Sequence, residues 1–140
     1  APLLTPLSSC GYLPPRPAAS GATHLTCTPS LFSTVPADAE LPSLSVVALG
    51  GEHTPRRLAE AWSGRLTLLN TYGVTECCCY QACARILPGE SPRSIGEALP
   101  SCTMVLASGS GDDPESRVPP GSGGLGEIWI AGPQVGLGYL

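Results

Sequence analysis

At 140 residues and 42% hydrophobic content, the chain is long and apolar enough for a buried core, which excludes wholesale disorder. A net charge of −4 leaves no basic footprint for nucleic acid, and no apolar run is long enough to cross a bilayer. Seventeen glycines and sixteen prolines predict abundant loops, while all seven basic residues are arginine and none is lysine.

Residues 1–21 are broken by proline and lack periodicity, so they read as an irregular lead-in. His24-Leu25-Thr26-Cys27 reads as a short strand. Thr28-Pro29 follows as an N-cap with proline at the first helical position, in a helix faced by Leu31, Phe32 and Val35 and stopped by Pro36. Residues 44–49 form a near-continuous apolar strand, of the kind buried on both faces of a parallel sheet, and Gly50-Gly51-Glu52 turns the chain after it. Thr54-Pro55 repeats the cap-and-proline start for a helix carrying Leu58, Ala61 and Trp62, which ends at Gly64. Residues 65–69 are the next strand. This βαβ rhythm predicts an α/β layer over residues 22–100, with right-handed crossovers that put residues 50–52 and 70–76 at one carboxyl edge of the sheet.

Beyond Glu76 the pattern is weaker. Residues 77–86 fit strand or helix, and Ser94-Ile95-Gly96-Glu97-Ala98-Leu99-Pro100 reads as a loop with one buried Ile. Residues 103–107 and 127–131 are strands on either side of a surface loop at 108–124, so a mainly β subdomain begins at residue 101 and runs to 140. Trp62 and Trp129 are expected in or near the core. Seven cysteines, three of them consecutive at Cys77, Cys78 and Cys79, do not suit a disulfide framework; they predict reduced, mostly buried thiols in a cytoplasmic protein. The opening residues carry neither an initiator Met nor a basic leader, and Leu140 falls inside a glycine-rich motif, so the chain reads as a fragment of something longer.

The stretch Asn70-Thr71-Tyr72-Gly73-Val74-Thr75-Glu76 concentrates the chemistry. The Thr75 hydroxyl, with backbone N–H groups around Gly73 arranged as an anion nest, suits a phosphate, and the Glu76 carboxylate suits a magnesium ion that takes its remaining ligands from phosphate oxygens. Tyr72 offers a flat face for a base and Asn70 an amide for its edge. The bland alternative is a turn in which Asn and Gly serve backbone geometry, Thr caps a helix and Glu is solvated. A zinc site from His24, Cys27 and Cys77, Cys78, Cys79 or Cys83 lacks the paired Cys-x-x-Cys units such sites use. His53 and Arg56-Arg57 read as solvated at a helix start.

Five blocks in order, Thr26-Cys27-Thr28-Pro29-Ser30-Leu31, Leu49-Gly50-Gly51-Glu52, residues 70–76, Ser94-Ile95-Gly96, and Gly126-Glu127-Ile128-Trp129-Ile130-Ala131-Gly132 with Gly138-Tyr139-Leu140, resemble the adenylate-forming enzyme superfamily across about residues 22–140. The phrases are most similar to adenylation domains of nonribosomal peptide synthetases and to β-alanine-activating enzymes. The resemblance implies an ATP- and Mg²⁺-dependent ligase in which a carboxylate attacks the α-phosphate to give an acyl-adenylate, which then passes to a thiol of phosphopantetheine or coenzyme A. The implied partners are a small carboxylic or amino acid and a carrier domain.

Carried over by position, Gly50, Gly51, Glu52, Asn70 and Tyr72 would surround the adenine, with Thr71 and Gly73 in the same nucleotide loop. Thr75 would hold phosphate and Glu76 the metal. Thr26, Ala48, Gly50, Thr71, Cys79 and Tyr80 would line an acyl pocket, small-walled at Ala48 and Gly50 and partly filled by Tyr80. The sequence departs from the family in lacking its lysine-bearing upstream loop, the acid that holds an α-amino group, the ribose-gripping Asp and the catalytic lysine; Val74 replaces a common proline. The 140 residues alone are therefore expected to be inactive. An acyl-CoA ligase acting on a fatty or aryl acid, and a non-catalytic remnant serving as an interaction module, are the alternatives.

Overall fold

A computed structural model describes residues 21–109 and 116–140. The lead-in expected at 1–21 thus lies outside the described residues save Gly21, as does 110–115 within the expected surface loop. The fold is α/β, with a mixed five-stranded sheet in the order β1-β2-β3-β4-β5 and a separate two-stranded sheet, β6-β7. The chain divides into two compact units, Ala1–Thr71 with Ala84–Gly96, and Tyr72–Cys83 with Glu97–Leu140.

In the first unit, β1 (His24–Cys27), β2 (Val46–Gly50) and β3 (Thr67–Tyr72) run parallel, in register Thr26 to Ala48 to Leu69. Because side chains alternate, one face carries Leu25, Val47 and Leu68, then Cys27 and Leu49. That face packs into a core with Phe32 from α1 (Pro29–Phe32), Leu58, Ala59 and Trp62 from α2 (Arg56–Trp62), and Ile86 from β4 (Ala82–Ile86). The Phe32 and Trp62 rings meet at 5.1 Å between centroids, tilted by 49°. The opposite face is covered less: Val46, Ala48 and Leu69 are half-buried and Thr26 is exposed. The expectation of a strand buried on both faces is corrected in part: the second face is buried only toward the carboxyl edge, at Gly50 and Thr71.

Both helices begin near the expected prolines and stop short of the expected ends. Thr28 caps α1, accepting from the Leu31 N–H at 3.2 Å. The helix ends at Phe32, ahead of Val35 and Pro36, where the Ser33 and Thr34 hydroxyls donate to the carbonyls of Pro29 and Leu31, both at 2.8 Å. Such local bonds compete with helix continuation. Thr54 does not cap α2; Pro55 occupies that position, while Thr54 is buried with its hydroxyl 3.5 Å from Asn70 Oδ1. Ala59, not Ala61, is the fully buried alanine of α2. Arg65 stacks on Trp62 at 4.6 Å and donates to the carbonyls of Ala37 and Ala39 at 2.5 and 2.6 Å, which ties the connection before β2 to the end of α2.

In the second unit, the start of β4 pairs antiparallel with β5 (Glu97–Ala98), so the loop expected over 94–100 contains a short strand, and its Ile95 is half-buried. The β6 (Thr103–Ala107) and β7 (Glu127–Ala131) pair runs antiparallel from Thr103 opposite Ala131 to Ala107 opposite Glu127, with the bounds expected. Gly126 is needed there for close approach, since a Cβ would stand 2.8 Å from the Ala107 carbonyl oxygen. Trp129, expected in or near the core, is 37% exposed. The thiols differ from expectation as well: among the six described cysteines, all free, only Cys77 is buried and Cys78 and Cys79 are exposed.

Candidate functional site

The candidate residues fall on both units. In the first, parallel pairing sets Gly50 opposite Thr71 at the carboxyl edge of β2 and β3, and brings Thr26, Ala48, Gly50 and Thr71 onto the incompletely covered face of the sheet. These are four of the six expected pocket positions. Past β2 the chain turns through Gly51 at φ +79°, a left-handed conformation natural to glycine. Glu52 then reaches back to α1 and accepts from the backbone N–H of Ser30 at 3.0 Å and from the Ser30 hydroxyl. The hydroxyl first, then the backbone N–H, holds the Glu52 carboxyl below the usual carboxylate range.

Asn70 and Thr71 are both buried and both engaged. The Asn70 amide donates to the carbonyls of Pro92 and Ser94 at 3.1 and 2.7 Å, so it orders the segment that enters Ser94-Ile95-Gly96. The Thr71 hydroxyl donates across the strand pair to the Leu49 carbonyl at 2.8 Å. The first three residues of the 70–76 stretch are therefore the end of a strand, and the loop begins at Gly73.

In the second unit, a single 3₁₀ turn at Thr75–Cys77 exposes Thr75 and Glu76 side by side. The residue that shapes this turn escaped the sequence reading. Gln81 is fully buried; its Oε1 accepts from the Val74 N–H and its Nε2 donates to the carbonyls of Cys77 and Cys78, all at 2.8 Å. The second bond holds Cys78 at φ 63° and ψ −178°, a region almost confined to glycine and costing about 1–3 kcal/mol. A lone glutamine in a run of cysteines and alanines was the available signal, since a buried amide must find partners.

Gly73 is not among the left-handed glycines, and the Val74 N–H belongs to Gln81, so the expected anion nest does not form there. Gly73 serves close approach instead: a Cβ would stand 2.0 Å from the Cys79 carbonyl oxygen. Cys79 is exposed and Tyr80 half-buried in the return to β4.

The Glu76 carboxylate accepts from the Tyr139 hydroxyl at 2.9 Å. Its own backbone N–H, and after that Tyr139, hold its carboxyl below the usual range, while the bond to Glu76 raises the Tyr139 phenol. Among the described residues no group of three or more His, Cys, Asp or Glu could hold a metal. One exposed, ionised oxygen donor beside a free-standing hydroxyl fits magnesium, which binds through one or two carboxylates plus phosphate oxygens and not in an all-protein cage.

The AMP-binding enzyme family matches residues 18–140 of the chain. The chain is 37% identical over 121 residues to the hybrid PKS-NRPS synthetase TAS1 of Pyricularia oryzae, covering 81% of this chain and 7% of that protein. Among solved structures it resembles the Klebsiella oxytoca NpsA N-terminal subdomain in complex with 3-hydroxybenzoyl-AMSN, with a TM-score of 0.71 at 25% identity over 97% of this chain and 33% of that one. It also resembles VinN in complex with L-aspartate, with a TM-score of 0.67 at 28% identity over 86% of this chain and 30% of that one. The chain thus spans a small part of the relatives it matches.

Proposed function

The chain belongs to the AMP-binding enzyme family of adenylate-forming ligases, and from that membership we propose that it serves an enzyme that activates an amino acid or similar small carboxylic acid with ATP and hands the acyl group to a thiol. The observation that carries the reading is the passage from β3 through Gly73 to an exposed hydroxyl and an exposed, ionised carboxylate at Thr75 and Glu76. The backbone of Gly50, Gly51 and Glu52, with Asn70, Thr71, Tyr72 and Gly73, takes the adenosine, and the Thr75 hydroxyl donates to phosphate oxygen. Glu76 holds Mg²⁺, which supplies Lewis-acid stabilisation of charge on the phosphate. Thr26, Ala48, Gly50 and Thr71, which share one face of the first unit's sheet, line the acid's pocket. The bonds described for Asn70 and Glu52 give them a positioning part: Asn70 orders residues 92–94, and Glu52 steadies the turn after β2.

The synthetase relatives support a carrier-borne phosphopantetheine thiol over coenzyme A, and the L-aspartate complex of VinN supports an amino acid substrate. Exposed free thiols at Cys78 and Cys79 suit a reducing cytoplasm. The 140 residues contain no lysine, and by themselves they are expected to be inactive.

The test is acid-dependent ATP–pyrophosphate exchange by the full-length parent enzyme, titrated with Mg²⁺. Glu76→Gln should raise the Mg²⁺ needed for half-maximal exchange by on the order of tenfold or more, the scale on which disturbed metal shells lose affinity. An unchanged magnesium titration refutes Glu76 as ligand, and exchange with no acid in a panel of amino, aryl and fatty acids refutes the ligase reading.

A further inference from the structure

We propose that Tyr139 is a positioning residue for Glu76, held in place by a glycine-dependent strap that grips the acid at both its backbone and its side chain. The inference rests on the reading of Glu76 as a magnesium ligand and extends it to the group that aims the carboxylate.

The strap follows β7. It turns where the Val135 N–H meets the Gly132 carbonyl at 3.2 Å, and next the Gly136 N–H donates to the Glu76 carbonyl at 2.7 Å. Three residues on, the Tyr139 hydroxyl donates to Glu76 Oε1 at 2.9 Å, across 63 residues of sequence. Two bonds from one segment to one residue fix both ends of that residue. Gly136 permits the approach, because a Cβ there would lie 3.0 Å from the Glu76 carbonyl oxygen. The Tyr139 ring is 79% exposed, so the placement is not explained by burial of the ring.

An ionised carboxylate only accepts, so the phenol must be the donor. Its bond occupies one site on Oε1, and with the bond from the Glu76 backbone N–H it still leaves lone pairs of the carboxylate for a cation. Carboxylates that ligate metals are themselves hydrogen-bonded, and removing that outer partner typically lowers metal affinity 10- to 100-fold. Here the partner comes from the Gly138-Tyr139-Leu140 block, so the strap and the 3₁₀ turn act as one device.

The experiment is equilibrium binding of Mn²⁺ in the presence of ATP, read from the electron paramagnetic resonance of free Mn²⁺, on the full-length enzyme and its Tyr139→Phe, Gly136→Ala and Glu76→Gln variants. Near-ultraviolet circular dichroism shows that each variant keeps its fold. Tyr139→Phe should weaken Mn²⁺ about tenfold, leave kcat at saturating metal near that of the parent, and add nothing in the Glu76→Gln background. Gly136→Ala, which loosens the strap without touching the phenol, should weaken Mn²⁺ in the same direction and keeps the test alive if Tyr139→Phe fails to fold. Unchanged or tighter Mn²⁺ binding by the strap variants, with Glu76→Gln still weakened, overturns the inference and leaves the ligase reading standing. Unchanged binding by Glu76→Gln overturns the ligand assignment itself.

Discussion

Gly73→Ala should loosen the turn that carries Thr75 and Glu76, and the geometry sets the size of the effect. Gly73 does not use a left-handed conformation, so alanine there has no backbone penalty and would by itself stabilise by about 0.4–1 kcal/mol through the unfolded chain. The clash opposes this. The new Cβ would stand 2.0 Å from the Cys79 carbonyl oxygen and 3.0 Å from the Tyr80 Cα, all of it backbone that no rotamer change can move aside. Restoring ordinary contact needs a shift of more than about 1 Å, which pulls on Gln81 and its three 2.8 Å bonds. Overpacking of this kind costs about 1–3 kcal/mol or more, so destabilisation wins. Hydrogen exchange of the peptide covering residues 73–83, followed by mass spectrometry in the full-length protein, reads this locally. At tenfold per 1.4 kcal/mol, 1–3 kcal/mol corresponds to exchange faster by about 5- to 150-fold. Gly64→Ala is the control: a Cβ at Gly64 meets nothing within 4 Å, and its own segment should be as protected as before or more so. Equal behaviour of the two variants would refute the close-approach argument.

Two further outcomes follow from side chains whose environment is known. Gln81→Leu strands one N–H and two carbonyls, of which the Cys77 carbonyl is in the buried bond; at about 1–3 kcal/mol for a buried group left unpaired, at least that much should be lost, seen as a loss of protection over the same peptide. Gln81→Glu keeps the acceptor for Val74 and sets a charge against two carbonyls, so its deficit should shrink as pH falls and the acid protonates; a pH-independent deficit counts against the assigned bonding. Burial pushes the Cys27 thiol up from 9.0 to about 11. The folded state therefore keeps the proton that the unfolded chain releases, and stability should fall as pH rises through that window. In iodoacetamide labelling at mildly alkaline pH, Cys27 should react well after the exposed Cys78 and Cys79, and equal labelling rates would refute the assignment.

The limits of sequence reading here have a physical pattern. The strand at His24–Cys27 and the pair at Thr103–Ala107 and Glu127–Ala131 were legible to the residue, since alternation and flanking turn residues carry the signal within a few positions. The start of α1 was legible because Thr28 and Leu31 are three residues apart. Its end was not, because propensity did not foretell whether the Ser33 and Thr34 hydroxyls would turn back to the helix carbonyls or face water. The same holds at the candidate site. Residue types in 70–76 name the donors and acceptors available, but which of them stay free depends on partners far along the chain. Asn70 is taken by Pro92 and Ser94, the Val74 N–H by Gln81, and one oxygen of Glu76 by Tyr139. What remains in the second unit is the Tyr72 side chain, the Thr75 hydroxyl and the Glu76 lone pairs not taken by Tyr139 and its own backbone N–H. A seven-residue stretch is thereby narrowed, beside the Tyr72 ring, to a neutral donor and an anionic ligand on adjacent residues, the minimum that a phosphate with its divalent cation requires.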